Sequence, residues 1–220
     1  MARRAAGCRA LVLTPLQQRL LEIVSRLPEA NGFALAGGAA LILRGTVDRY
    51  TNDLDFFIGH ADVEADTIAT MVAAVERALG DAELGWRREV VTDTFARLTV
   101  EAGHEECRID LAVDVRVRPV DQDRRVALLS LEELAADKVL ALFGRAAARD
   151  YQDVAALREH FSWTELFELA SEKDAGFSVE RFLDAVAAFA RLGAEDFDTS
   201  PAGYEQLRAE VVFWPRQIRA

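Results

Sequence analysis

Lysine is almost missing from this sequence. Of its 26 basic side chains only Lys138 and Lys173 are lysines, and arginine supplies the rest. A solvated surface uses lysine freely, so a lone mid-chain lysine is a candidate for a specific task. Cysteine is equally sparse. Cys8 and Cys107 share no spacing, which excludes a disulfide framework or a cysteine metal cluster and points to reduced thiols in a cytoplasmic protein. The three histidines, His60, His104 and His160, are too scattered for a zinc site. No apolar run approaches the ~20 residues of a membrane-spanning helix, so no membrane partner is expected. Ala10 to Leu13 is too short for a secretory core, and residues 1–13 read as a loose tail. Positive charge is in deficit: Asp and Glu number 37, the formal net charge is -11, and a strongly basic nucleic-acid binder is excluded as a description of the whole chain. What is present, 51% hydrophobic and 29% charged residues over 220 positions, is the composition of a folded protein with a sizeable core.

Local patterns divide the chain in two. Thr14-Pro15 opens a helix whose apolar face carries Leu16, Leu20, Val24 and Leu27, and Pro28 closes it. Phe33 to Ala36 reads as a strand ending at Gly37-Gly38, Ala39 to Arg44 as a short helix stopped by Gly45, and Leu54 to Ile58 as a second strand. Helical spacing marks residues 63–79. Three strand candidates follow, 86–91, 95–101 and 107–115, with Ala102-Gly103-His104 as a hairpin turn. From Ser130, where Ser-Leu-Glu-Glu gives a capping-box signature, everything reads as helix: a first one from 131, then others near 148–159, 162–171, 178–191 and 203–213. An α/β half thus precedes a helical half, with a seam at 116–130.

One constellation carries chemistry. A strand runs into Gly37-Gly38 and a helix, where small residues and unpaired N–H groups suit a phosphate. Asp53 and Asp55 follow, two apart on a strand, so both carboxylates face one side while Leu54 and Phe56 face the core. Convergent carboxylates are costly without a cation, and a divalent metal shared with substrate phosphates is the natural answer. A third carboxylate is expected on a neighbouring strand. Asp110 is preferred for its apolar neighbours, Ile109 and Leu111, with Asp114 as its competitor. Each piece alone has a scaffold explanation; the order strand, Gly-Gly, helix, Asp-x-Asp does not. In the helical half Lys138 falls on the apolar stripe of Leu131, Leu134, Ala135 and Leu142, and Asp150 and Asp153 share a helix face from which they could orient Lys138 or Arg149.

These residues resemble the nucleotidyltransferase superfamily with the DNA-polymerase-β-like fold, and more closely the AbiEii-type nucleotidyltransferase toxin family. Gly37, Gly38, Ala39, Arg44, Arg49, Thr51, Asp53, Asp55 and Phe56 match the first family motif, and Lys138 and Arg149-Asp150-Tyr151-Gln152-Asp153 the later ones, over roughly residues 30–160. The wider superfamily has Gly-Ser where this chain has Gly38-Ala39, which leaves phosphate contact to backbone N–H groups and arginine.

The resemblance implies an α/β (α+β) fold: a minimal nucleotidyltransferase mixed sheet with flanking helices over 1–120, then a C-terminal helical domain over 121–220. It implies a nucleoside triphosphate as substrate and Mg²⁺ or Mn²⁺ held by Asp53, Asp55 and Asp110. Gly37, Gly38, Ala39, Arg44, Arg49 and Thr51 would bind the nucleotide. Lys138 would stabilise charge, Asp110 would serve as base or second-metal ligand, and Asp150 is the stronger of the two later aspartates. The partners would be an RNA acceptor such as tRNA and an antitoxin protein. Arg116, Arg118, Arg124 and Arg125 form a candidate RNA patch at the seam. Transfer to a small polycationic acceptor of the aminoglycoside kind, favoured somewhat by the acidic charge, and a non-catalytic nucleotide-binding regulator are the alternatives.

Overall fold

The structure, a computed structural model, describes residues 13–121 and 126–220. The expected loose tail lies outside the described residues except for Leu13, which is buried.

Helix α1 (Pro15–Ser25) begins with a full capping box between Thr14 and Gln17 and buries Leu16, Leu20, Leu21 and Val24. The buried Gln17 also donates to the Thr51 carbonyl at 2.7 Å, which ties α1 to the segment leading into the aspartate strand. Strand β1 (Phe33–Ala36) is buried throughout and turns directly into α2 (Gly37–Arg44), stopped by a left-handed Gly45. Strand β2 (Asp53–Gly59) follows, then α3 (Thr67–Asp81), β3 (Gly85–Val91), β4 (Phe95–Ala102) and β5 (Glu105–Asp114). Helix α3 starts four residues later than its periodicity suggested, because a 3-10 turn (His60–Asp62) and an extended Val63 precede it.

The five strands form one mixed sheet in the order β1-β2-β5-β4-β3. Only the central β2–β5 pair is parallel, and its register sets Asp55 opposite Asp110. Strand alternation then sorts the two faces. Leu54, Phe56, Ile58, Ile109 and Leu111 are buried on the apolar side, while Asp53, Asp55, Phe57 and Asp110 point the other way. Helices α1 and α3 pack on this sheet. The seam adds a short parallel bridge to the free side of β1: Leu35 donates to the Ala127 carbonyl at 2.8 Å and accepts from Leu129 at 3.0 Å.

The helical half consists of α4 (Leu131–Arg145), α5 (Ala148–Leu157), α6 (Trp163–Lys173), α7 (Val179–Ala187) and α8 (Pro201–Ile218). Ser130 caps α4 as expected, but Glu133 does not reach back to close the box. Its carboxylate instead accepts from the Arg118 amide at 2.9 Å and pairs with Lys173 at 2.7 Å. Helix α4 also packs on α2, and one hydrophobic cluster runs from Leu13 through both halves to Trp214.

Candidate active site

The polar face of the sheet, the start of α2 and the flank of α4 enclose a cleft of about 270 Å³. Gly37, Gly38, Arg49, Thr51, Asp53, Asp55, Asp110, Lys138 and Arg149 line it, together with Phe57, Arg97, Asp137, Ala141 and Arg145. Most residues singled out from sequence are thus brought to one place. In this acidic chain the lining carries five cations, Arg49, Arg97, Lys138, Arg145 and Arg149, beside four carboxylates.

The glycines are required by the protein's own side chains. A Cβ on Gly37, which has φ +61, would lie 1.8 Å from Asp55 Oδ2. A Cβ on Gly38 would meet Arg49 at 2.9 Å and the Thr51 hydroxyl at 3.0 Å. Small residues here let the carboxylate and its neighbours close on the helix start. Ala39 is wholly buried and can approach a ligand only through its backbone.

The three sheet carboxylates differ in what holds them. Asp53 accepts from Arg108 at 2.7 Å and from Arg149 at 3.3 Å. Asp110 takes both arms of the Arg97 guanidinium, at 2.8 and 2.6 Å. Asp55 between them has no hydrogen bond or ion pair among the described residues. Burial pushes Asp55 up to about 6; Lys138 opposes the shift, and Asp110 and Asp53 add to it. A group of hard oxygen ligands with one member unpaired suits a divalent cation such as Mg²⁺. Asp114, the competitor for the third place, lies four residues further along β5, opposite Gly59, and does not line the cleft.

Asp114 belongs to a second acidic nest. Its carboxylate and those of Glu133 and Asp137 have oxygens all within 4.8 Å of one another. Asp53, Asp55 and Asp110 are not gathered that tightly. In the nest the protein supplies the counterion itself: Lys173 Nζ pairs with Asp114 at 2.6 Å, with Glu133 at 2.7 Å and with Asp137.

Lys138 is also buried and paired, as its place on the apolar stripe suggested. Its ammonium is 2.9 Å from Asp153. The same carboxylate takes both arms of Arg49, at 2.7 and 2.8 Å. Burial works against the charge on Asp153, but Lys138 and Arg49 hold it below the usual carboxylate range. Both later aspartates hold cations that line the cleft. Asp153, expected to be the weaker, orients Lys138 and Arg49. Asp150 caps α5 through the Ala147 amide and holds Arg145, a third cleft cation, at 2.7 Å.

Two expectations are corrected. Arg44 does not line the cleft: it turns to the seam, where it pairs with Asp121 at 2.6 Å and donates to the Leu129 carbonyl. The seam arginines do not form an open patch in the part that is described. Arg116 is spent on the Gly32 and Phe57 carbonyls and Arg118 on Glu172, while Arg124 and Arg125 lie outside the described residues. Sequence reasoning missed Arg97 and Arg145 as cleft residues. Hairpin pairing through Gly103 sets Arg97 opposite Asp110, and helical spacing sets Arg145 seven residues after Lys138, so both signals were present.

The family described as Nucleotidyl transferase AbiEii toxin, Type IV TA system, matches residues 19–212. No curated protein matches the chain. Among solved structures it is similar to a Helicobacter pylori protein described as a nucleotidyltransferase, at 20% identity and TM-score 0.57, over 93% of this chain and 92% of that one. It is also similar to JHP933 from Helicobacter pylori, at 21% identity and TM-score 0.54, over 93% and 89%. The third is the nucleotidyltransferase toxin MenT4 from Mycobacterium tuberculosis, at 16% identity and TM-score 0.60, over 92% and 80%.

Proposed function

The chain belongs to the AbiEii nucleotidyltransferase toxin family, and on that premise we propose that it transfers a nucleoside monophosphate from a nucleoside triphosphate to an RNA acceptor, tRNA foremost, in a metal-dependent step. The observation that carries this reading is the cleft: an unpaired Asp55 between Asp53 and Asp110, facing cations gathered in a chain of net charge -11.

Asp53, Asp55 and Asp110 would hold Mg²⁺ or Mn²⁺, which supplies charge neutralisation at the phosphates when bound. The start of α2, with Gly37 and Gly38, faces the triphosphate. Arg49 and Lys138, fixed by Asp153, present positive charge from the opposite wall. An acceptor hydroxyl attacks the α-phosphorus, a new P–O bond forms, the bond to the β-phosphate oxygen breaks, and pyrophosphate leaves. Asp110, held by Arg97, would serve either as the base that takes the hydroxyl proton or as a ligand to a second metal. Fixed positioning and pre-set charge supply most of the rate.

The acceptor would be met by the cleft rim rather than the seam. Arg97, Arg108, Arg145 and Arg149 are each one-third to one-half exposed there. Such a rim suits a phosphate backbone and makes RNA binding fall steeply with salt. It disfavours a polycationic acceptor. We assign the sheet half, to about residue 120, to the metal and triphosphate, and the helical half to Lys138, Asp153 and Arg145. An antitoxin protein would be the regulatory partner, as the family's toxin–antitoxin description suggests.

The test is incubation with each labelled triphosphate and total tRNA, and in parallel with aminoglycosides. Label on tRNA that is lost in Asp55→Ala supports the proposal. Label on the drug alone replaces it with the small-molecule alternative.

A further inference from the structure

Two cleft residues have no part in the chemistry above. Phe57 is two positions beyond Asp55 on β2, so its ring faces the same side about 7 Å further along the strand. It is an apolar, aromatic member of a lining otherwise dominated by charge, and only partly buried. Asp137 stands on α4 beside Lys138 and also lines the cleft. Its Oδ1 is held by Lys173. Its Oδ2 is shut off from solvent and has no hydrogen-bond partner, the one such side-chain atom among the described residues. Buried polar atoms are nearly always satisfied, so an orphan in a residue that lines the cleft calls for a partner. Burial pushes the Asp137 carboxyl up to about 7; Lys173 opposes the shift, and Asp114 and Glu133 add to it.

We propose that Phe57 and Asp137 form the nucleobase end of the cleft, the ring stacking on the base and Asp137 Oδ2 accepting a hydrogen bond from an N–H on its edge. This rests on the nucleotidyltransferase reading of the same cleft. The triphosphate then lies at the Gly37 and Asp55 end, and the base lies toward the end of β2 where Phe57 sits. Stacking is tolerant of base identity, because every base has a π-face. Discrimination falls to Asp137, since a buried acceptor left unpaired penalises a base that offers no N–H in the right position. Lys173 acts as the positioning residue: by holding Oδ1 it fixes which oxygen faces the ligand.

Titration calorimetry on the full chain with Mg²⁺ tests this, using the four ribonucleoside triphosphates, their 2′-deoxy counterparts and inorganic tripolyphosphate. Phe57→Leu keeps an apolar side chain and removes the ring. It is expected to weaken all four triphosphates by about fivefold or more and leave tripolyphosphate unchanged. Asp137→Asn is expected to change the affinity ratio between the best and worst base by about tenfold. Equal binding by both cleft variants and the parent overturns the proposal while the nucleotidyltransferase reading stands. A uniform loss in Asp137→Asn that disappears with 2′-deoxynucleotides points to the ribose hydroxyl and also overturns it. Failure of the parent to bind either tripolyphosphate or any triphosphate removes the nucleotidyltransferase reading itself.

Discussion

Asp153 receives both arms of Arg49 and the ammonium of Lys138, and all three side chains are buried. One carboxylate from α5 thereby fixes a residue of the loop before β2 against a residue of α4, across the junction of the two halves. Removing it leaves two cations buried without a counterion. Asp153→Ala should destabilise the protein by about 3–5 kcal/mol, read as a shifted midpoint in urea unfolding. Arg49→Lys should not rescue the geometry, because an ammonium cannot reproduce the two parallel bonds. A loss below about 1 kcal/mol for Asp153→Ala would mean that the triad is not formed in solution.

Gly37 makes a sharper prediction about the cleft. Alanine there would set Cβ 1.8 Å from Asp55 Oδ2 at a backbone angle that L-residues rarely adopt. Gly37→Ala should therefore abolish nucleotide transfer. Gly38→Ala, whose new Cβ meets the Arg49 guanidinium at 2.9 Å and the Thr51 hydroxyl at 3.0 Å without a left-handed backbone angle, should lower the activity less than Gly37→Ala does. Equal rates for parent and Gly37→Ala would place the reacting atoms elsewhere.

Asp55 connects the cleft to pH. Its carboxyl is raised from 3.8 to about 6 in the fold. Between those values the folded state binds the extra proton, so the site's contribution to stability falls as pH rises from about 4 to 6 and stays low above. Asp55→Asn abolishes that ionisation. The metal-free variant should be more stable than the parent at pH 7–8, by up to about 3 kcal/mol, and the gain should vanish near pH 4. Thermal melts at several pH values, with chelator present, check this. Addition of Mg²⁺ at pH 8 should raise the melting temperature of the parent and not of the variant.

Arg44 separates motif membership from site membership. It matches the family motif, yet its guanidinium is engaged by Asp121 and the Leu129 carbonyl at the seam. Arg44→Ala should lower stability and leave triphosphate affinity within about twofold of the parent. Lys138→Ala, at the cleft wall, should weaken triphosphate binding by about tenfold, in line with loss of one charge-assisted contact. Equal effects on binding from the two variants would contradict this division.

Local signals carried much of this architecture. The Thr14 and Ser130 caps, the Gly-Gly turn and the alternation in Leu54 to Ile58 are written in neighbouring residues, and the corresponding elements form within a few positions of where those signals put them. Asp110 and Asp114 share one strand and both have apolar neighbours, so only the pairing with β2, which sets Asp110 opposite Asp55 and Asp114 opposite Gly59, brings the first to the cleft. What was not legible depends on partners distant in the chain. Asp150 and Asp153 look alike in sequence, and only the packing of α5 on α4 decides which one meets Lys138. Arg44 follows the motif but turns away, because the seam offers it a carbonyl and a carboxylate. The scarcity of lysine did carry information in both cases: Lys138 and Lys173 each sit buried against carboxylates, one in the cleft and one in the nest beside it.

The most direct test of the central claim follows the phosphorus. The purified chain is incubated with Mg²⁺, RNA and a triphosphate labelled at either the α- or the γ-phosphate. Stable label on the RNA from the α-position alone, dependent on the divalent ion and absent in Asp55→Asn, is the predicted result. Label arriving from the γ-position, or α-label transferred equally well by Asp55→Asn, would contradict it.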